Sequence, residues 1–124
     1  MAEINSGPDI LDWKVYAGDG NVEIFEFLLA GDPWNLTGAI IEAQARKTAN
    51  DTVIAITATV TMVDETLGRY LIGWNGVALR ALLAGQDQWV GEWDLQVLVA
   101  NASLPRTFLR GKFTAVSDVT RTSA

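Results

Sequence analysis

The chain has 124 residues, about half of them hydrophobic, and a formal net charge of −6 with only nine Lys and Arg. A chain this long buries roughly two thirds of its unfolded surface, enough for one core, and scattered cations exclude the basic footprint that nucleic acid or an anionic bilayer needs. With neither cysteine nor histidine, disulfides, thiolate metal sites and Cys or His catalysis are excluded.

The opening "MAEINSGPDILDW" carries no basic n-region and no apolar h-region, and no apolar run approaches the roughly 20 residues that span a bilayer. The expectation is a soluble protein made in a cytoplasm, or one that joins a particle assembled there. "DWKVYA" and "NVEIFEFLL" then read as strands on either side of "GDG", whose residues tolerate positive φ in a turn. "GDPWNLTGAIIEAQARK" is a turn leading into a long strand with Ile41, Ala43 and Ala45 inward and Glu42, Gln44 and Arg46 outward. In its "LTG", Leu36 is expected to plug the core, Thr37 to cap the turn and Gly38 to let the backbone bend.

"TVIAITATVTM" alternates most clearly, with Ile54, Ile56, Ala58, Val60 and Met62 on one face and Thr57, Thr59 and Thr61 on the other. "VDETLG" is a tight reversal ended by Gly68, followed by the strand "GRYLIGW". "NGVALRALLAG" breaks the period of two. Its apolar spacing predicts a short helix capped by Asn75, stopped by Gly85 and plugging one end of the core. "EWDLQVLVA" puts Trp93, Leu95, Val97 and Val99 inward, and a hairpin over Asn101–Leu104 leads to "TFLRGKFTAV", with Leu109, Gly111, Phe113 and Ala115 on one face. Mid-strand Gly111 marks a bulge or a close approach to Trp93 or another backbone.

Seven strands with regular turn signals predict an all-β fold, an immunoglobulin-like antiparallel β-sandwich with one short helix or helical turn. A single domain over residues 1–118 and a polar tail over 119–124 are expected.

No catalytic, cofactor-binding or metal-ligating set can be assembled, so the chain is expected not to be an enzyme. Ser6, Ser103, Ser117 and Ser123 fall in turns or tails, none in a nucleophile elbow. Glu92 and Asp94 share a strand face and Asp64–Glu65 sits in a turn, both read as solvated acids. Asp19–Asn21 lacks the remaining ligands of a calcium loop, and Asn35, Asn50 and Asn101, each followed by x-Ser/Thr, read as turn asparagines.

The tryptophans carry more information. Trp93 alternates with core residues and Trp74 ends a strand where it can close the core. Trp34 and Trp89 sit beside polar turns and are harder to hide, and indole is enriched at binding hot spots. Trp34, Trp89, Trp13 and Arg121 are the candidate protein-interface residues.

The order of several segments is similar to the small β-sandwich modules of tailed bacteriophages, found at the N-terminus of baseplate upper proteins and in tail-fibre and minor tail proteins. The segments are Gly18–Asp19, Gly31–Ala39, Gln44–Lys47, Asp64–Arg69, Ala78–Gly85, Gly91–Val97 and Thr107–Arg121, covering nearly the whole chain. Asn35 departs from the acid usual before Leu36–Thr37, and Trp34 and Trp89 add bulk. The resemblance implies a virion structural protein made in the host cytoplasm and assembled into the tail: a minor tail, baseplate or tail-tip adaptor. It would bind other tail proteins, form a homo-oligomer or occur in several copies, and need no cofactor. Two alternatives remain open from the residues. One is a carbohydrate-binding module using Trp34, Trp89 and Tyr70 with Asp87 and Gln88; the other is a capsid decoration protein.

Overall fold

A computed structural model describes residues 2–5, 9–17, 21–29, 31–48 and 50–117. Its first strands are β1 (Ala2–Asn5), β2 (Asp9–Ile10), β3 (Trp13–Tyr16), β4 (Asn21–Leu29), β5 (Asp32–Pro33) and β6 (Ile40–Arg46). They are followed by β7 (Ile56–Thr57), β8 (Thr59–Asp64), a 3-10 turn (Glu65–Leu67), β9 (Arg69–Trp74), helix α1 (Gly76–Leu83), β10 (Gln88–Leu98) and β11 (Arg106–Val116).

The strands form two layers. One runs β1-β4-β9-β8 with β5 alongside β4; the other runs β2-β11-β10-β6-β7 with β3 alongside β11. The result is an all-β sandwich with a single short helix among the described residues. Strand forms in all seven segments where it is expected, though one of them is divided between the two layers, and two- and four-residue pieces too short to show any alternation in sequence supplement them. The long ladders are antiparallel, but β1 on β4 and both β2 and β3 on β11 are parallel. The strands flanking "GDG" therefore lie in different layers, β3 with β11 and β4 with β9, and do not form a hairpin with each other. Residues 18–20 lie outside the described set, as do Arg121 and the tail over 119–124.

Alternation places the core where the sequence predicts it in β6, β10 and β11: Ile41, Ala43, Ala45, Trp93, Leu95, Val97, Leu109, Phe113 and Ala115 are buried. β11 buries Phe108 as well, because the register with β10 slips between Leu95 and Gln96. The extra residue turns two neighbouring side chains into the core, as a bulge does.

The segment "TVIAITATVTM" departs from expectation. Ile56–Thr57 pairs with β6 in one layer, while Thr59–Asp64 pairs with β9 in the other, so the chain switches sheets at Ala58. Ala58 donates its N–H to the Ala43 carbonyl at 2.8 Å. Ile56 is buried, but Ile54 is 42% exposed and Met62 is 56% exposed, because neither end of the segment lies over the core. On the opposite flank the N-terminal segment makes the same change of layer, from β1 to β2 and β3. Strands that change layer make the corners of such sandwiches.

The helix is capped as its sequence predicts: Asn75 Oδ1 accepts from the Ala78 N–H at 3.0 Å. Ala84 (φ 51°) and then Gly85 (φ 83°) turn left-handed and end it. Leu79 and Leu83 are its buried residues, and it lies against β7, β10 and β11.

Candidate interaction surfaces

The aromatic residues divide into two clusters. In the first, the Trp13 ring lies 5.4 Å from Phe25, 5.6 Å from Trp74 and 5.2 Å from Trp93, and Trp74 reaches Phe113 at 4.6 Å. Trp89 joins it edge-on to Phe113 at 6.2 Å. In the second, Trp34 meets Phe108 at 5.2 Å, and Phe27 bridges Phe108 and Tyr70.

Trp74 and Trp93 are buried, as expected; Trp13, Trp34 and Trp89 are half-buried against the core. The three half-buried indoles therefore do not share one surface: Trp34 belongs to one cluster, Trp13 and Trp89 to the other. Tyr70 is only 5% exposed, and burial raises the pKa of its phenol above the usual value, with Glu65 adding to the shift. It cannot stack on a sugar, so the Trp34–Trp89–Tyr70 platform is not formed.

Local chemistry explains how Trp34 is presented. β5 pairs with Leu28–Leu29, and the Trp34 N–H donates to the Phe27 carbonyl at 3.0 Å. Asn35, not Thr37, caps the following turn: its Oδ1 accepts from the Thr37 N–H at 3.1 Å and from the Thr37 hydroxyl at 2.6 Å. Leu36 is buried, as the plug reading requires, and its N–H donates to the Glu65 carbonyl at 2.8 Å. Gly38 takes φ 81°. Gly68 (φ 67°) lies so close under this turn that a Cβ there would sit 2.7 Å from the Trp34 carbonyl oxygen and 2.8 Å from that of Phe27. Trp34 is thus held by backbone on both sides.

A cation lies over Trp89. Lys47 Nζ sits 5.2 Å from the ring centroid while donating to the Val90 carbonyl at 2.9 Å. Its neighbourhood opens onto a depression of about 790 Å³ on the outer face of β6, β10 and β11, lined by Arg46, Glu92, Asp94, Arg110 and Lys112 among others. The register sets these charges in complementary rows, Arg46–Glu92–Lys112 and Gln44–Asp94–Arg110, and opposite charges on facing strands favour the pairing.

Arg46 lies 3.8 Å from Asp94 and donates to Gln44 at 3.0 Å. Partial burial raises the Asp94 carboxyl above its ordinary value, against a smaller lowering by Arg46. Chemically this face is a charge ladder in which each acid lies between strands carrying polar or cationic partners, with one cation in excess. Among the described residues no three His, Cys, Asp or Glu side chains converge as metal ligands.

The rim of the depression is fixed by Gly111. A Cβ there would meet the Leu11 carbonyl group. The close approach expected at Gly111 is therefore to another backbone, and the bulge lies at Phe108 instead. Trp93 Nε1 donates to that same Leu11 oxygen at 2.7 Å, the Leu11 N–H donates to Arg110 at 2.9 Å, and Asp12 accepts from the Lys112 N–H at 2.9 Å.

One polar pair escaped the sequence reading: Glu26, 8% exposed, accepts from Arg69 Nε at 2.9 Å directly across the β4–β9 ladder. A glutamate flanked by Phe25 and Phe27 offers only its period of two as a signal. Asp64, by contrast, is a cap rather than a plain solvated acid. It accepts from the Thr66 hydroxyl at 2.7 Å and the Thr66 N–H at 3.2 Å, and the hydroxyl contact above all lowers its pKa.

No helix among the described residues is long and apolar enough to cross a membrane. No protein-family model matches the sequence, and no curated protein matches it. Among solved structures, the fold is similar to the N-terminal domain of phage TP901-1 ORF48. The TM-score is 0.54 over 94% of each chain, at 11% sequence identity.

Proposed function

We propose that the chain is a structural subunit of a tailed-bacteriophage particle, an adaptor of the baseplate or tail tip that joins other tail proteins and is present in several copies. The observation that carries this reading is the correspondence of fold with a phage protein domain along nearly the full length of both chains. The sequence segments that resemble phage tail modules fall along the same length, from the Gly31–Ala39 turn through the Gly91–Val97 strand to β11. In this reading the half-buried rings of Trp34, Trp89 and Trp13 are finished by neighbouring subunits, which supply the apolar cover that the isolated chain lacks. The protein is made in the host cytoplasm and resides in the virion tail.

Mass spectrometry of purified particles, followed by localisation in a reconstruction, tests the proposal. Presence in the tail density supports it. Presence in infected-cell lysate with absence from the particle ends it, and density on the capsid would make the chain a decoration protein instead. The sugar-binding alternative loses its three-ring platform, since Tyr70 is buried and Trp34 and Trp89 pack on different phenylalanines.

A further inference from the structure

Sheet edges are normally blunted against pairing with other chains by lysine, proline, inward charge or irregular geometry. β8 is the last strand of its sheet, pairing with β9 on one side and, among the described residues, with no strand on the other. From Thr59 to Met62 it keeps unbroken register with β9; only at Val63, where the ladder slips, is it interrupted. It has no proline, and there is no charged residue anywhere between Asp51 and Asp64. Met62 and Val63 are 56% and 51% exposed, and Thr59 and Thr61 are exposed as well.

We propose that β8 pairs antiparallel with β8 of a second copy of this chain, about a two-fold axis through Thr61, joining two five-stranded layers into one continuous sheet. The strand's own order favours itself as partner. With Thr61 on the axis, Val60 of each copy lies opposite Met62 of the other. Both residues share the face of Ile72 and Tyr70, to which they are paired on β9, so an apolar cross-strand pair covers the exposed Met62 on either side of the axis. On the other face Thr61 meets Thr61, a favourable like pair, and the row continues through Leu71 to the exposed Ile24 in each copy.

Charge points the same way. Two chains of net charge −6 repel each other, and an uncharged edge is where they can meet without placing like charges face to face. A two-fold contact of this kind is isologous and closed, so it stops at a dimer. The contact rests on the edge alone and is independent of the role proposed above.

The absence of cysteine makes the register directly testable in the full chain. Thr61→Cys places two thiols opposite each other on the axis, within reach of a disulfide. Thr59→Cys places them about 14 Å apart along the strands, out of reach. Under mild oxidation Thr61→Cys is expected to form covalent dimer about tenfold faster or more, and sedimentation of the unmodified chain should show a monomer–dimer equilibrium. Thr61→Lys, which sets two like charges on the axis, should weaken that equilibrium about tenfold or more with an unchanged circular dichroism spectrum. A chain that stays monomeric up to its solubility limit overturns the proposal, including the case in which a different protein occupies β8. So does equal cross-linking at the two positions, or a dimer indifferent to Thr61→Lys.

Discussion

Replacing Gly111 by alanine is the sharpest test of how β11 is held against the segment between β2 and β3. The new methyl would collide with the Leu11 carbonyl group, and the third contact, Asp12 Oδ1, would lie at 3.0 Å. Backbone, not a flexible side-chain end, would have to yield. Moving Leu11 and Asp12 aside strains three hydrogen bonds at once: Trp93 Nε1 to Leu11, Leu11 to Arg110, and Lys112 to Asp12. Overpacking of this kind costs about 1–3 kcal/mol, and each weakened hydrogen bond removes about 0.5–1.5 kcal/mol net. Stiffening the unfolded chain returns about 0.4–1 kcal/mol. The expected loss is about 3 kcal/mol, or a fall in Tm of roughly 10 °C for a domain of this size. Urea unfolding followed by tryptophan fluorescence measures it, and loosening at the Trp93 indole should red-shift the native emission. A loss below about 1 kcal/mol would refute the reasoning, since it would mean the Leu11 segment is not tightly docked.

Gly31→Ala, where no atom lies within 4 Å but φ is 86°, should cost only about 1–2 kcal/mol, from conformation alone, by the same urea titration. Trp93→Phe leaves the half-buried Leu11 carbonyl without its indole donor and should destabilise by about 1–2 kcal/mol. Trp74→Phe should cost less than Trp93→Phe, because the buried Trp74 Nε1 has no acceptor among the described residues; paired denaturation curves decide. Arg69→Met leaves the Glu26 carboxylate buried without its cation and should cost about 2 kcal/mol, recovered in part by adding Glu26→Gln, as a double-mutant cycle will show.

The two shifted aspartates act in opposite senses on acidification. Asp64, lowered from 3.8, contributes stability that is present above that value and is lost as pH falls through its folded pKa. Asp94, raised above 3.8, carries a penalty when ionised that is relieved as pH falls from its folded pKa toward 3.8. Asp94→Asn should therefore be at least as stable as the parent at pH 7, with the difference shrinking on acidification in urea titrations between those limits.

The inward faces of β6, β10 and most of β11 are legible in the sequence because each buries one side over many residues, and a period of two then has room to show. Asn75 and Gly68 are legible because a cap and a left-handed turn have few alternatives. Phe108 is not, since a bulge breaks the very period used to find it. The change of layer at Ala58 is also silent: Ile56 and Val60 keep the same alternation on both sides of it while changing partners. Parallel pairing of β2 and β3 depends on which distant strand has a free edge, and no local residue carries that information. The half-buried state of Trp34 and Trp89 follows from Phe108 and Phe113 lying under their rings, contacts between residues far apart in the chain.

The parallel arrangement of β3 on β11 has a mechanical consequence. Tension that draws residue 13 one way and residue 116 the other loads this ladder in shear. The pairs from Trp13–Phe113 to Tyr16–Val116, with the Ala17 N–H bonded to Val116 at 2.9 Å, must then give way together instead of unzipping one by one. Loaded between those two residues, the ladder resists with all its pairs at once, where a peeling load would meet them singly.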